Sequence, residues 1–341
     1  MARSDGYLHG RARQTLHLPL TDPDEILYRQ GVLLDCLARP ELARRLYDLA
    51  VAGVEAKKQT YSFWYRDSPE SILHKSLVLL DRLVGVLKEL RSVADGHASE
   101  FRSGGFRRLF ETVQAELDDD YLSTLDETLR ELRFRGGPLI SASLGRANRG
   151  TSYVLRKPRK RSLVERLSRS GPPSYGFTIA PRDEHGHHAA SELRNRGINH
   201  VADAVAQSAD HILDFFARLR AELGFYVGCL NLHEQLTERG EPVVFPEPLG
   251  VAPRMYTARG LYDAALAFHL DRPVVGNDVD ADGKRLMIVT GANQGGKSTL
   301  LRSIGLAQLM MQAGMFVPAE SFRARSAPAS SRTSSARRTR P

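Results

Sequence analysis

In the stretch Gly291-Ala292-Asn293-Gln294-Gly295-Gly296-Lys297-Ser298-Thr299, the first eight residues fit the phosphate-cradling pattern G-x-x-x-x-G-K-[ST]. Glycines at these positions let the backbone curl so that successive N–H groups converge on phosphate oxygens, and a helix opening there adds its positive dipole end. By analogy with such loops, Lys297 reaches the β and γ phosphates of ATP and Ser298 holds its magnesium ion. The pattern arises by accident in roughly one per cent of chains of this length, and here it has its required context. An apolar, β-branched run, Leu286 to Thr290, reads as a buried strand before it, and Leu300, Leu301, Ile304 and Ala307 recur at helical spacing after it, as far as Gly314.

A second chemistry is electrostatic. The net charge is +8, but the stretch from Arg323 to Pro341 holds six arginines and no acid, which leaves +2 for the rest. Between Pro138 and Ser170 nine basic residues meet one acid, Glu165. Within it, Arg156, Lys157, Arg159, Lys160 and Arg161 read by themselves equally as a solvated loop, and placed at the end of paired helices they are the expected contacts to a DNA phosphate backbone, a mode that gives affinity rather than sequence reading. His185, His187 and His188 beside Asp183 and Glu184 read as a polar lead-in to a helix, because no second ligand cluster with zinc spacing accompanies them. Trp64 and the Phe225-Tyr226 pair read as core rather than base-stacking platforms.

These groups need positioning elements. Residues 1–20 are polar and irregular and read as a loose tail. Thr21-Asp22-Pro23-Asp24-Glu25 is a helix start, with a capping side chain, proline in the first turn and acids near the dipole's positive end. Further helices open at Pro40 and at Ser68-Pro69-Glu70, and two more apolar series run from Phe106 to Leu117 and from Leu122 to Leu132, ending at Gly136-Gly137-Pro138. The period then shortens into β-like runs at Leu139–Leu144, Thr151–Leu155 and Tyr175–Ala180. From Ala189 to Gly240 the helical period resumes unbroken, a length of roughly 75 Å. So long a helix needs an antiparallel partner, and the helices before Gly136 are the candidates.

The wording around the loop is more specific than the generic pattern. Asn293 to Thr299, Leu301-Arg302, Ala307-Gln308-Leu309-Met310, Gly314 and Phe316-Val317-Pro318-Ala319-Glu320 closely resemble the start of the ATPase domain of the MutS family of DNA mismatch-repair proteins, and Asn277-Asp278 is similar too. The loop departs from the family's usual Pro-Asn-Met at Ala292-Asn293-Gln294, which suggests a divergent branch. Arg259-Gly260-Leu261-Tyr262 stands where the family places Gly-Arg-His-Pro, which leaves the adenine contact open. Helices leading out, a basic tip and a long helix back resemble that family's lever and clamp. The family's mismatch-reading Phe-x-Glu has only Phe245-Pro246-Glu247 as a counterpart, placed after the long helix and read as coincidence. The chain is therefore expected to belong to a branch without the mismatch-reading domain.

The resemblance implies a mixed α and α/β fold: a mainly α-helical core and lever with a small β-rich tip, then the beginning of a P-loop ABC-type ATPase domain. The expected divisions are a tail over 1–20, core and outgoing lever over 21–138, tip over 139–182, returning helix over 183–240, partial ATPase domain over 241–322 and a disordered basic tail over 323–341. ATP and magnesium are the implied cofactors and DNA the partner, with a homodimer implied by family members whose two sites form across a dimer. A structural, chromosome-organising P-loop coiled-coil protein is the alternative, disfavoured because its loop would precede the coil.

An apolar content of 42% and a charged content of 26% suit a globular chain. No apolar run approaches the roughly 20 residues of a membrane span, and no signal-peptide core opens the chain, so a cytoplasmic protein is expected. Cys36 and Cys229 read as buried thiols. Only 42 residues follow Thr299, with Glu320 the sole acid after Lys297. A second apolar strand ending in Asp, with a Glu beside it, is needed to hold magnesium and orient water. Its lack and the change of composition at Arg323 predict a frameshifted or truncated gene product, without hydrolysis.

Overall fold

The computed structural model describes residues 6–60, 68–157, 176, 178–250, 252, 254–270 and 272–327. In chain order the helices and strands are α1 (Gly6–Leu16), α2 (Pro23–Ala38), α3 (Pro40–Thr60), α4 (Pro69–His97), α5 (Gly104–Glu116), α6 (Asp119–Leu132), β1 (Leu139–Leu144) and β2 (Gly150–Arg156). There follow α7 (Glu184–Glu238), β3 (Glu247–Leu249), β4 (Tyr256–Leu261), α8 (Ala264–Ala267), β5 (Asn277–Asp280), α9 (Lys297–Gln312) and β6 (Ser321–Arg325). The fold is mixed α and β, mostly helical with small sheets, and no helix among the described residues is long and apolar enough to cross a membrane. Two compact units result: residues 1–50, 90–116 and 218–341 in one, and 51–89 and 117–217 in the other.

In the first unit local chemistry sets the helix starts. The Asp22 carboxylate accepts from Asp24 N at 3.0 Å and Pro23 takes the first helical position, so α2 begins where its capping signal says. The Asp35 carboxylate, nearly buried, accepts from the backbone N–H groups of Arg102 and Ser103 and so fixes the chain entering α5. Ile26, Leu33, Leu46, Leu90, Phe110, Leu230 and Phe316 are fully or almost fully buried and form the core. Cys36 and Cys229 are free thiols buried in the same unit, and burial pushes the Cys36 thiol up to about 12. The sheet of this unit runs β3-β6-β4-β5, with β3 parallel to β6 and the other pairs antiparallel.

In the second unit Leu73, Leu79, Leu83, Leu122, Leu129, Ile198 and Phe216 are buried. Here α3 and α7 run antiparallel, since Gly53 lies against the Phe216 ring while Lys57, further along α3, pairs with Asp210, further back along α7. The start of α4 is fixed beside α7 by Glu70, whose N–H donates to Asn195 Oδ1 and whose carboxylate pairs with Arg194. Strands β1 and β2 form an antiparallel hairpin with a bulge between Ser141 and Ser143. It is seated on α7 at Gly197, where an added Cβ would lie 2.4 Å from Ile140 Cδ1. Gly197→Ala is therefore expected to displace the hairpin, seen as several-fold faster tryptic cleavage at Arg146 and Arg149, with little change in the melting temperature. Unchanged cleavage would mean Ile140 is not the anchor.

Four expectations differ from the structure. The tail over 1–20 contains α1, which buries none of its own residues but is held from outside: Arg11 donates to Ala221 O, the Arg220 guanidinium lies 4.0 Å from the Tyr7 ring centroid, and Leu20 N donates to Gln312 O. The run from Leu286 to Thr290 is not a strand. It has no ladder partner among the described residues, and Leu286 and Ile288 are each 74% exposed. Of the run Tyr175–Ala180, residues 178–180 form no strand, and 175 and 177 lie outside the described residues. Finally β6 crosses the expected boundary at 323, because Phe322 and Ala324 point into the core while Arg323 and Arg325 alternate outward against β3 and β4.

Candidate functional site

The glycine-rich loop leads directly into α9. Gly296 adopts φ +79° as its N-cap, Gly291 adopts φ +151°, and Gln294 sits at φ +65°, a conformation a side chain tolerates poorly. These left-handed turns close a tight loop in which Gly295 N donates to Ala292 O, and from Gly296 onward the N–H groups of the first helical turn lack intrahelical partners. The Lys297 ammonium folds back over the loop, donating to Gly291 O at 2.7 Å and Ala292 O at 2.5 Å. A cation, a helix start and glycine backbone thus converge on one mouth, and residues 291–296 and Ser298 are exposed to solvent there. Asn293 and Thr299 belong to the same loop and first turn, and Thr299 O accepts from Ser303 Oγ.

Other contacts orient α9. Tyr256 on β4 donates its hydroxyl to Ile304 O at 3.1 Å. Asp263, which caps α8 by accepting from Ala265 N and Leu266 N, also accepts from Arg302 Nε at 2.5 Å and pairs with Arg302 Nη2. Its side chain is 0% exposed. Sequence reading missed this pair because the partners stand 39 residues apart. Magnesium keeps most of its coordination for water and phosphate oxygens and needs few protein ligands. The exposed Ser298 hydroxyl at the loop mouth suits one such position. Among the described residues no group of three or more His, Cys, Asp or Glu could hold a metal by itself.

Of the expected DNA contacts, Arg159, Lys160 and Arg161 lie outside the described residues. Arg156 ends β2 and donates to Ser141 Oγ, and Lys157 pairs with Glu131 at 2.9 Å. The Glu131 carboxylate, and after it Glu127, holds the exposed Lys157 ammonium above its ordinary value. Two further cations belong with them. Arg146 and Arg149 flank the turn between β1 and β2, which is closed by Gly145 N donating to Arg149 O and by Ala147 at φ +57°. Both are exposed, and neither guanidinium meets an acid among the described residues. They were countable among the nine basic residues of this stretch, but only the hairpin register places them at its tip. His187 Nε2 lies 3.2 Å from Ala180 O, and the Asp183 carboxylate accepts from Gly186 N, so this segment caps α7. Phe245-Pro246-Glu247 is likewise packed into the fold: Pro246 O accepts from Gln30 and Glu247 pairs with Arg323.

A family model described as the MutS2 N-terminal domain matches residues 21–239, and one described as MutS domain V matches residues 287–329. The chain is 51% identical over 53 residues to the DNA mismatch repair protein MutS of Chloroflexus aurantiacus, and 53% identical over 55 residues to that of Porphyromonas gingivalis. It is 47% identical over 55 residues to MutS protein homolog 4 of Mus musculus. These matches cover 15–16% of this chain and 6% of each relative's length.

Proposed function

The chain belongs to the MutS family, and on that premise we propose that it is a DNA-repair protein that binds ATP at residues 291–299 and meets the DNA backbone through its basic hairpin. The observation that carries the nucleotide reading is the Lys297 ammonium lying over the mouth of a left-handed glycine loop that opens a helix. Such a mouth takes a polyphosphate: the loop N–H groups from Gly291 to Gly296 bind its oxygens, Lys297 turns from the loop carbonyls to the terminal phosphates, and the helix start stabilises the negative charge. Ser298 is the residue that would hold magnesium, which supplies charge neutralisation on the phosphates. A homodimer belongs to the same reading, tested by sedimentation with and without Mg-ATP. The test of the site is equilibrium binding of Mg-ATP to the purified chain, compared with GTP and tripolyphosphate. No binding of any of them removes the site.

The DNA part rests on the hairpin. Cations that face solvent, as Arg146 and Arg149 do with no acid partner among the described residues, release counterions when they meet phosphates, whereas Lys157 must first leave Glu131. In a titration of duplex DNA against salt, Arg146→Ala with Arg149→Ala is expected to reduce the slope of log K on log salt by nearly two, since each phosphate contact contributes about 0.9. The joint change of Arg159, Lys160 and Arg161 to Ala is expected to reduce it by nearly three on the same basis. Lys157→Ala changes it least. Slopes that stay as in the unmodified chain for both sets would take the hairpin out of the interface.

A further inference from the structure

We infer that the ion pair of buried Asp263 with Arg302 is a positioning device for the phosphate loop: it sets the orientation of α9, and through it the affinity of the loop for a polyphosphate. The inference rests on the nucleotide reading above and deepens it. Three observations carry it. First, the strand expected to brace the loop from its N-terminal side forms no ladder among the described residues, and Leu286 and Ile288 stand exposed. The bracing of α9 must therefore come from the elements packed along the helix itself. Second, the Asp263 carboxylate is fully buried yet accepts two backbone N–H groups of α8 and two guanidinium N–H groups of Arg302. A buried charge satisfied by four donors holds its partners in one geometry, because losing any of them leaves a desolvated carboxylate. Third, Arg302 stands five residues beyond Lys297, on the second turn of the same helix. Any rotation or slide of α9 that aims its N-terminal N–H groups differently must break this pair.

The other hydrogen bonds that tether α9 are neutral: Tyr256 Oη donates to Ile304 O, and the Gln308 and Gln312 side chains donate to Arg325 O, Leu20 O and Ala327 O at the far end of the helix, so the charged pair is the tether nearest the loop. Preorganised donors give affinity because they are already aimed before the ligand arrives. Once α9 is free to reorient, the phosphate must order it, and part of the binding free energy is spent doing so.

The experiment measures tripolyphosphate and Mg-ATP dissociation constants for the unmodified chain, Asp263→Asn, Arg302→Gln, the double variant and Arg302→Lys, with melting temperatures for each. Asp35→Asn is the stability control, since it loosens the entry to α5 without touching α9. The expected result is a loss of about tenfold for both ligands in each single variant, no further loss in the double variant, and partial recovery in Arg302→Lys. Asp35→Asn should lower the melting temperature while leaving both affinities unchanged. Affinities within twofold of the unmodified chain in the pair variants, additive losses in the double variant, or an equal loss in Asp35→Asn would each overturn the positioning role. Absence of binding by the unmodified chain would instead overturn the nucleotide reading itself.

Discussion

Lys297→Ala is expected to weaken Mg-ATP and tripolyphosphate binding on the order of 100-fold while leaving the melting temperature within a degree or two of the unmodified chain. A charge-assisted hydrogen bond is worth about 1.5–3 kcal/mol, and an ammonium bridging two phosphates makes at least two of them. The full value is not realised, because the ammonium already donates to Gly291 O and Ala292 O, and those bonds are given up when the ligand binds. The same competition explains the small effect on stability. Both carbonyls lie in residues open to solvent, so water replaces the lost donor once the side chain is removed. Isothermal titration with thermal melts on the same samples checks both halves. Unchanged affinity would mean that phosphate does not bind at this loop, and a large fall in melting temperature would mean that the lysine is structural.

The loop was legible because its chemistry is local: glycine positions, a lysine and the helix that follows all lie within one short stretch. Helix starts were legible for the same reason, as Asp22 capping Asp24 N beside Pro23 illustrates. What could not be read depended on distant partners. Leu286 to Thr290 has every local property of a strand, but a strand exists only when a neighbour satisfies its N–H and C=O groups. In the opposite direction, α1 has no buried face to announce it and owes its place to Ala221, Arg220 and Gln312, all far along the chain. Strand β6 was hidden by composition. Its alternation of Phe322 and Ala324 with Arg323 and Arg325 is a period of two, but the arginine-rich stretch that begins there masks it. The hairpin was readable from its β-like runs, while the exposure of Arg146 and Arg149 at its turn required the register.

ATP turnover by this chain alone is expected to stay at buffer background, even where ATP binds. Hydrolysis needs more than a phosphate cradle: a carboxylate to hold the metal and another group to orient the attacking water, both placed before the reaction begins. After Lys297 the sequence offers only Glu320. Its N–H is tied to Arg259 O, and its side chain packs over Gly260 on β4. Three acids on the elements beside α9 already have partners: Asp263 holds Arg302 and α8, Asp278 accepts from Gly260 N, and Asp282 accepts from Tyr256 N. Redirecting any of them to a metal would leave a backbone donor or the Arg302 guanidinium without its acceptor. Losing such groups costs orders of magnitude in rate. Phosphate release from the purified chain, measured with and without Mg-ATP and DNA, is therefore expected to match that of Lys297→Ala. Release above background that disappears in Lys297→Ala would mean that an acid among those named leaves its partner when nucleotide binds, and Glu320→Gln and Asp278→Asn would then show which.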